Sequence, residues 1–343
     1  MYFRIMMNST TIKELKDLLS SPKKIIIIPH RNPDGDAIGS SLGLYHVLTN
    51  QGHSAQVISP NDLPNFLNWM PGVETIKIYE KSEQESQKLL SEADIIFTLD
   101  FNILLRTGDR MESFLEKLPQ DFVMIDHHQM PGDYAKFTFS DPQYGSTCEL
   151  MYVVLNLLML APYIDTNAAT CIYTGIVTDS GSFKFPKTTA QTHRIVAELL
   201  DKGVKNADIH NYLFDHNSFN KLQLMGKALQ NIVLMPKQHT SYLFLTEEDL
   251  YKYNHQKGDT EGLVNYGLSI DGIHLTAFFI ERKEEGIIKI SFRSQGDVDV
   301  NQFARKYFEG GGHINAAGGK SHLSLEETIA RFKKIVENEK IIA

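Results

Sequence analysis

Three short, almost purely apolar runs each end at an ionisable residue: Ile25 to Ile28 before His30, Ile95 to Leu99 before Asp100, and Phe122 to Ile125 before Asp126, His127 and His128. Runs of this length without polar alternation suit strands buried on both faces, and such strands belong to parallel sheets covered by helices. Ala37 to Thr49 and Glu83 to Leu90 read as helices and Ala55 to Ile58 as a further strand, so the first half predicts an α/β fold with a mostly parallel sheet. In an open sheet of that kind the carboxyl ends of the strands line one edge, and ligands bind in the crevice there. The residues that end the runs are therefore expected to meet. Asp179, which follows the helical apolar stretch Ala168 to Val177, needs only to reach the same edge.

From about Lys202 to Gln230 the pattern turns polar and helical, with Asn217, Ser218 and Asn220 as turn or capping residues. Beyond it, Ser241 to Leu245, Ile273 to Ile280 and Ile287 to Phe292 read as strands of a second sheet, with helices at Val300 to Tyr307 and Leu325 to Asn338. The expected organisation is a domain over 1–201, a helical linker over 202–230 and a smaller α/β domain over 231–343; 343 residues suffice for two cores.

His30, Asp34 and Asp36 share one compact loop in which Pro33 and Gly35 allow a tight turn. Any one of these aspartates, taken alone, reads as a helix or turn cap. Together with Asp100, Asp126-His127-His128 and Asp179 in this order, they read as a metal site, and a mixed imidazole and carboxylate set suits Mn(II) and related divalent ions. His128 is placed to face the substrate, and Asp126 to orient the histidines.

Late in the chain, Gly310-Gly311-Gly312-His313 joins a glycine loop to an imidazole. It reads either as an anion nest for a phosphate or as a close-packed helix entry. Arg293-Ser294, at the end of a strand, offers a guanidinium fork for phosphate or one half of a salt bridge.

A net charge of -8 excludes binding by an extended basic surface, so long duplex nucleic acid is not an expected partner. Cys148 and Cys171 form no C-x-x-C pair and read as buried thiols in a reducing compartment. The first residues carry no sustained apolar run, and Ile25 to Ile28 is far too short to span a bilayer, so no membrane association and a cytoplasmic location are expected. With Met6 and Met7 close behind Met1, translation could also begin a few residues downstream.

The segments H-R-N-P-D-G-D-A-I-G-S, T-L-D, I-D-H-H, T-D-S-G and G-G-G-H-I-N-A-A-G-G resemble those of the DHH family of phosphoesterases, and within it the NrnA-type oligoribonucleases and 3'-phosphoadenosine 5'-phosphate phosphatases. The resemblance implies a parallel-sheet DHH catalytic domain, a linker and a DHH-associated substrate-binding domain. It further implies two divalent ions, usually Mn(II), held by His30, Asp34, Asp36, Asp100, His127 and Asp179 with Asp100 shared. Asp100, Asp126 and His128 are then the catalytic group. Arg293, Ser294, Gly311, Gly312 and His313 become contacts to the far end of a short oligonucleotide or of adenosine 3',5'-bisphosphate. Soluble cyclic di-AMP or linear dinucleotide phosphodiesterases share this architecture, and a non-catalytic nucleotide sensor is the alternative of another class. The resemblance leaves oligomeric state open.

Overall fold

The computed structural model describes residues 9–339, so the start that carries Met1, Met6 and Met7 lies outside the described residues. The chain divides between His216 and Asn217 into two compact units.

The first unit runs α1 (Ser9–Leu18), β1 (Lys24–Pro29), α2 (Gly35–Asn50), β2 (Ser54–Ser59), β3 (Lys77–Ile78), α3 (Glu83–Ser91), β4 (Ile95–Leu99), α4 (Asp109–Leu115), β5 (Asp121–Asp126), β6 (Phe137–Ser140), α5 (Thr147–Leu157), α6 (Thr166–Asp179), α7 (Ala190–Asp201) and α8 (Asn206–His210). Its six strands are all parallel, in the order β3-β2-β1-β4-β5-β6. The four isoleucines of β1 show why the run is continuous: Ile25 and Ile27 enter one core while Ile26 and Ile28 enter another on the opposite face. Alternate side chains of a strand point to opposite faces, so both must be apolar when helices cover both.

The strand order reverses between β1 and β4, and a reversal of this kind opens a crevice at the carboxyl edge. His30 follows β1 there and Asp100 follows β4. Helix α2, which leaves the same edge, is buried along most of its length. A side chain at Gly175 of α6 would lie 2.2 Å from Cys148 Sγ and 2.8 Å from Asp36 Oδ1. Only a glycine lets α6 run close enough to α2 and α5 for its last residue, Asp179, to arrive at this edge.

The second unit runs α9 (Phe219–Gln230), β7 (Val233–Met235), β8 (Thr240–Leu245), α10 (Glu247–Lys252), α11 (Val264–Leu268), β9 (Leu275–Arg282), β10 (Ile287–Ser294), α12 (Val300–Tyr307), β11 (Gly311–His313), β12 (Ala316–Ser321) and α13 (Leu325–Asn338). Its mixed sheet has the order β11-β12-β10-β9-β8-β7, with β8 and β9 parallel and the other pairs antiparallel. In β10 the buried residues are Ile288, Ile290, Phe292 and Ser294, the period of two expected of a strand with one face on a core.

Ile209 and Leu213 pack into the first unit's core, whereas Leu224 and Ala228 of α9 are buried in the second.

Candidate metal centre

His30 and His127, two of the histidines of the acidic crevice, are held in the same way. His30 Nδ1 lies 2.8 Å from the Arg31 carbonyl, and His127 Nδ1 lies 3.2 Å from the Tyr144 carbonyl. A carbonyl can only accept, so each ring carries its proton on Nδ1 and presents Nε2. His30 Nε2 stands 3.5 Å from Asp100 Oδ2 and 3.9 Å from Asp34 Oδ2. His127 Nε2 stands 3.2 Å from Asp179 Oδ2, 3.5 Å from Asp100 Oδ1 and 3.9 Å from Asp36 Oδ2. Asp100 thus sets one oxygen against each histidine.

Within each of the groups His30-Asp34-Asp100, Asp36-Asp100-His127 and Asp100-Asp126-His128, one ligand atom per residue lies within 4.8 Å of the others. Exposure grades across the set: Asp36, Asp100, Asp126 and His127 are buried, whereas the Asp34 and Asp179 side chains are 41% and 29% exposed. The buried members form a floor, and Asp34, Asp179 and His128 are the more exposed members of the set.

Such a density of carboxylates without a counter-charge is electrostatically unfavourable, and the ionisations show it. Burial, together with the charge of Asp100, pushes the Asp34 carboxyl up; burial with Asp100 and Asp179 pushes that of Asp36 well above the usual range. Burial would also lower the two histidines, but the hydrogen bond and charge of Asp100 raise His30, and those of Asp179 push His127 up to about 10. Burial likewise opposes ionisation of Asp100, yet the hydrogen bond from His30 and the charges of His128 and His127 hold it well below the usual carboxylate range. Protons here occupy places that suit a cation. Asp126 Oδ2, buried and with no hydrogen-bond partner among the described residues, adds one more unmet acceptor. Oxygen and imidazole donors of this kind fit a divalent ion such as manganese.

The sequence did not reveal what holds the carboxylates. Helix α5 points its first turn at them: the Thr147 and Cys148 N–H groups donate to Asp36 Oδ2 and Oδ1 at 2.6 and 2.9 Å, and Thr147 Oγ1 donates to Asp100 Oδ1 at 2.9 Å. Exposed amides at a helix N-terminus favour negative charge. The Ser146-x-x-Glu149 signature marked that helix start, but nothing local told which way the helix faced. Asp126 Oδ1 lies 2.7 Å from His128 Nδ1.

Residues 24–176 match the DHH family N-terminal domain, and residues 239–339 match the DHHA1 domain. A bifunctional oligoribonuclease and PAP phosphatase NrnA of Thermus thermophilus is 32% identical over 325 residues, covering 92% of this chain and 90% of the relative. The chain belongs to the DHH family. Members of this family are metal-dependent phosphoesterases. The crystal structure of an exopolyphosphatase-related protein from Bacteroides fragilis, 38% identical, superposes with a TM-score of 0.93 over 98% of each chain. The cyclic-di-AMP phosphodiesterase GdpP of Bacillus subtilis is 26% identical over 94% of this DHH chain but 49% of its own length.

In the DHHA1 domain the glycine motif is neither a bare loop nor a helix entry. It is the edge strand β11, paired antiparallel with β12. Glycine is required for that pairing, since a Cβ on Gly312 would lie 2.5 Å from the Ala316 carbonyl oxygen. One amide of the expected nest is already used, because Gly312 N–H donates to Asn301 Oδ1 at 2.9 Å. The register pairs Arg293 with Ala316 and Ala316 with His313, so the two basic side chains share one sheet face, two strands or roughly 10 Å apart. Ser294 lies on the other face. Its buried hydroxyl donates to the Val298 carbonyl at 2.5 Å and accepts from Asn315 Nδ2 at 3.0 Å, which braces the turn after β10 and takes it away from the face that Arg293 presents.

Proposed function

We propose that this chain is a divalent-metal-dependent phosphoesterase that cuts short oligoribonucleotides to nucleoside 5'-monophosphates and converts adenosine 3',5'-bisphosphate to AMP and phosphate. The observation that carries the reading is the place of Asp100, with its two oxygens 3.5 Å from His30 Nε2 and 3.5 Å from His127 Nε2. We assign His30, Asp34 and Asp100 to one ion and Asp36, Asp100, His127 and Asp179 to a second, with manganese the expected metal. When bound, two such ions supply Lewis acidity at phosphorus and lower the pKa of a water.

The chain's own groups do the rest. Asp126 takes the Nδ1 side of His128, so with the ring as imidazolium Nε2–H is left to donate to a phosphoryl oxygen or to give its proton to the leaving oxygen, after which the ring is neutral. The first turn of α5 fixes Asp36 and Asp100, so the carboxylates need not reorganise as charge develops. In the DHHA1 domain, Arg293 and His313, with the backbone at Gly311 and Gly312, grip the part of the substrate away from the reacting phosphate. The net charge of -8 favours short substrates, because a long strand gains little without a basic channel. Among the described residues no helix is long and apolar enough to cross a membrane, and both cysteines are free and buried. We place the enzyme in the cytoplasm on this ground.

The similarity to GdpP favours a second reading, hydrolysis of cyclic di-AMP. The test is kcat/KM with Mn(II), side by side, on an RNA dinucleotide, adenosine 3',5'-bisphosphate, cyclic di-AMP and pyrophosphate. The first two are expected to lead, and Asp100→Asn is expected to lower turnover by about a thousandfold, the scale of losing a key electrostatic group. A preference for cyclic di-AMP of more than about tenfold, ~1.4 kcal/mol at the transition state, overturns the substrate assignment. Binding of adenosine bisphosphate without turnover after Mn(II) is restored makes the chain a nucleotide sensor instead.

A further inference from the structure

The DHHA1 domain carries a second concentration of positive charge, apart from Arg293 and His313. A cavity of about 330 Å³ is lined by Arg305, Lys306, Lys320, His322 and Arg331, with Glu309 among them. On a chain with a net charge of -8, so many basic groups around one concavity stand out from the surrounding surface.

The two guanidinium groups make contacts that leave their charge uncompensated. Arg305 Nε donates to Asn301 Oδ1 at 3.0 Å, and the Arg331 guanidinium lies 5.4 Å from the centre of the Phe308 ring. Neither forms an ion pair with a carboxylate among the described residues. Both lysines have exposed carboxylate partners: Lys320 Nζ is 3.7 Å from Glu309, and Lys306 Nζ donates to both Glu339 oxygens at 3.2 and 3.3 Å, all four side chains being well exposed. Exposed pairs contribute little, so an arriving anion can exchange them at small cost. Planar guanidinium groups beside ammonium groups suit phosphate oxygens.

The cavity also has a defined relation to the proposed substrate grip. A Cβ on Gly311 would lie 3.4 Å from the Arg305 guanidinium, so Arg305 rests against the start of β11, and His313 ends that strand. Lys320 N–H donates to the Phe308 carbonyl at 2.7 Å, which ties the far end of β12 to the same corner. From His313 to the cavity is thus about the length of β11, roughly 10 Å, a distance that one or two nucleotides of an extended single strand can cover.

We propose that this basic cavity is a second phosphate subsite, which takes a backbone phosphate of a short oligonucleotide beyond the nucleotide held at Arg293 and His313. The inference deepens the oligonucleotide reading and rests on it. Adenosine 3',5'-bisphosphate is too short to reach both places. The subsite therefore separates the two substrates: it strengthens binding of three- and four-nucleotide RNA and contributes nothing to the bisphosphate. A free nucleotide acting as an effector would use the same chemistry, and the two sources are distinguishable.

The experiment compares the parent protein with the Arg331→Gln/Lys320→Gln double variant, and with Arg331→Lys/Lys320→Arg as a charge-preserving control of folding. Binding of a fluorescein-labelled RNA tetranucleotide is followed by anisotropy in EDTA, and KM for the tetranucleotide and for adenosine 3',5'-bisphosphate is measured with Mn(II). In the double variant the tetranucleotide should bind about tenfold more weakly, and the slope of log K against log salt should flatten by about 0.7, as loss of one phosphate contact requires. Its KM should rise with kcat retained, while KM for the bisphosphate stays the same and the charge-preserving variant behaves like the parent. Equal tetranucleotide affinity in the parent and double variant, or an equal loss for both substrates, overturns the proposal. So does weakened binding of free AMP with tetranucleotide binding intact, which makes the cavity an effector site. If the parent turns over neither substrate yet loses tetranucleotide affinity on substitution, the phosphate subsite stands and the catalytic reading falls.

Discussion

Replacing Thr147 by valine removes one hydroxyl from a wholly buried position and barely changes the volume. That hydroxyl donates to Asp100 Oδ1 at 2.9 Å, on the oxygen that faces His127. The residue's own N–H, which donates to Asp36 Oδ2, remains, and threonine and valine have similar helix propensity. The substitution therefore isolates a single donor. A hydrogen bond to a charged acceptor contributes about 1.5–3 kcal/mol, and at 1.36 kcal/mol per decade its loss weakens what Asp100 holds by roughly 10- to 150-fold. Groups that support metal ligands typically contribute about 10- to 100-fold in affinity or activity. Thr147→Val should raise the half-saturating Mn(II) concentration within that range, read by activity titration and by calorimetry, with kcat at saturating metal largely retained. Thr147→Ser keeps the donor and should stay near the parent. If the valine variant titrates within about twofold of the parent, well under one decade, and cannot be told from the serine variant, Asp100 is not held in the way described.

Arg293→Ala should raise KM about tenfold with kcat almost unchanged, because it removes a charge-assisted contact away from the reacting bond; steady-state kinetics on the RNA dinucleotide decides. Gly175→Ala puts a methyl group 2.2 Å from Cys148 Sγ and should destabilise by about 1–3 kcal/mol, as overpacking does, with a lower Tm and weaker metal binding. Raised folded-state values at His127, from 6.5 to about 10, and at His30 stabilise the metal-free protein fully below pH 6.5; the His127 contribution is lost as pH rises through about 10, and that of His30 as pH rises through its own raised value. A divalent ion must displace such protons, so its apparent affinity should climb with pH across neutrality, by up to about tenfold per unit for each proton released. Calorimetry in buffers of differing ionisation enthalpy counts those protons; pH-independent affinity without proton release contradicts the assignment.

How far the sequence could be read depended on the range of the forces involved. The doubly buried strands were legible because Ile25 to Ile28 and Ile95 to Leu99 must be apolar on both faces, and α12 and α13 run over the residues expected of them. Ser218, expected as a turn or cap, does cap α9 by accepting from Lys221 N–H at 3.1 Å. The convergence of His30, Asp34, Asp36, Asp100, His127 and Asp179 came from strand ends sharing one edge. What escaped were contacts fixed by tertiary direction: the aim of α5 at Asp36, and the inward turn of Ser294. The glycine motif was misjudged in conformation because short glycine-rich segments carry no periodic signal, and β11 exists only through its pairing with β12. The polar, helical pattern of 202–230 did not show that Ile209 and Leu213 pack into one core and Leu224 and Ala228 into another.

Asp100 sits at φ +67°, in the left-handed region that most residues with a side chain avoid. Asparagine and aspartate tolerate it best, and alanine less well. Variants at this position therefore report different things. An amide there keeps the local chain path and removes only charge, so a lost activity speaks about chemistry. A methyl group removes the charge and disfavours the bend by which the chain leaves β4, so the same loss mixes chemistry with misplacement of the crevice wall.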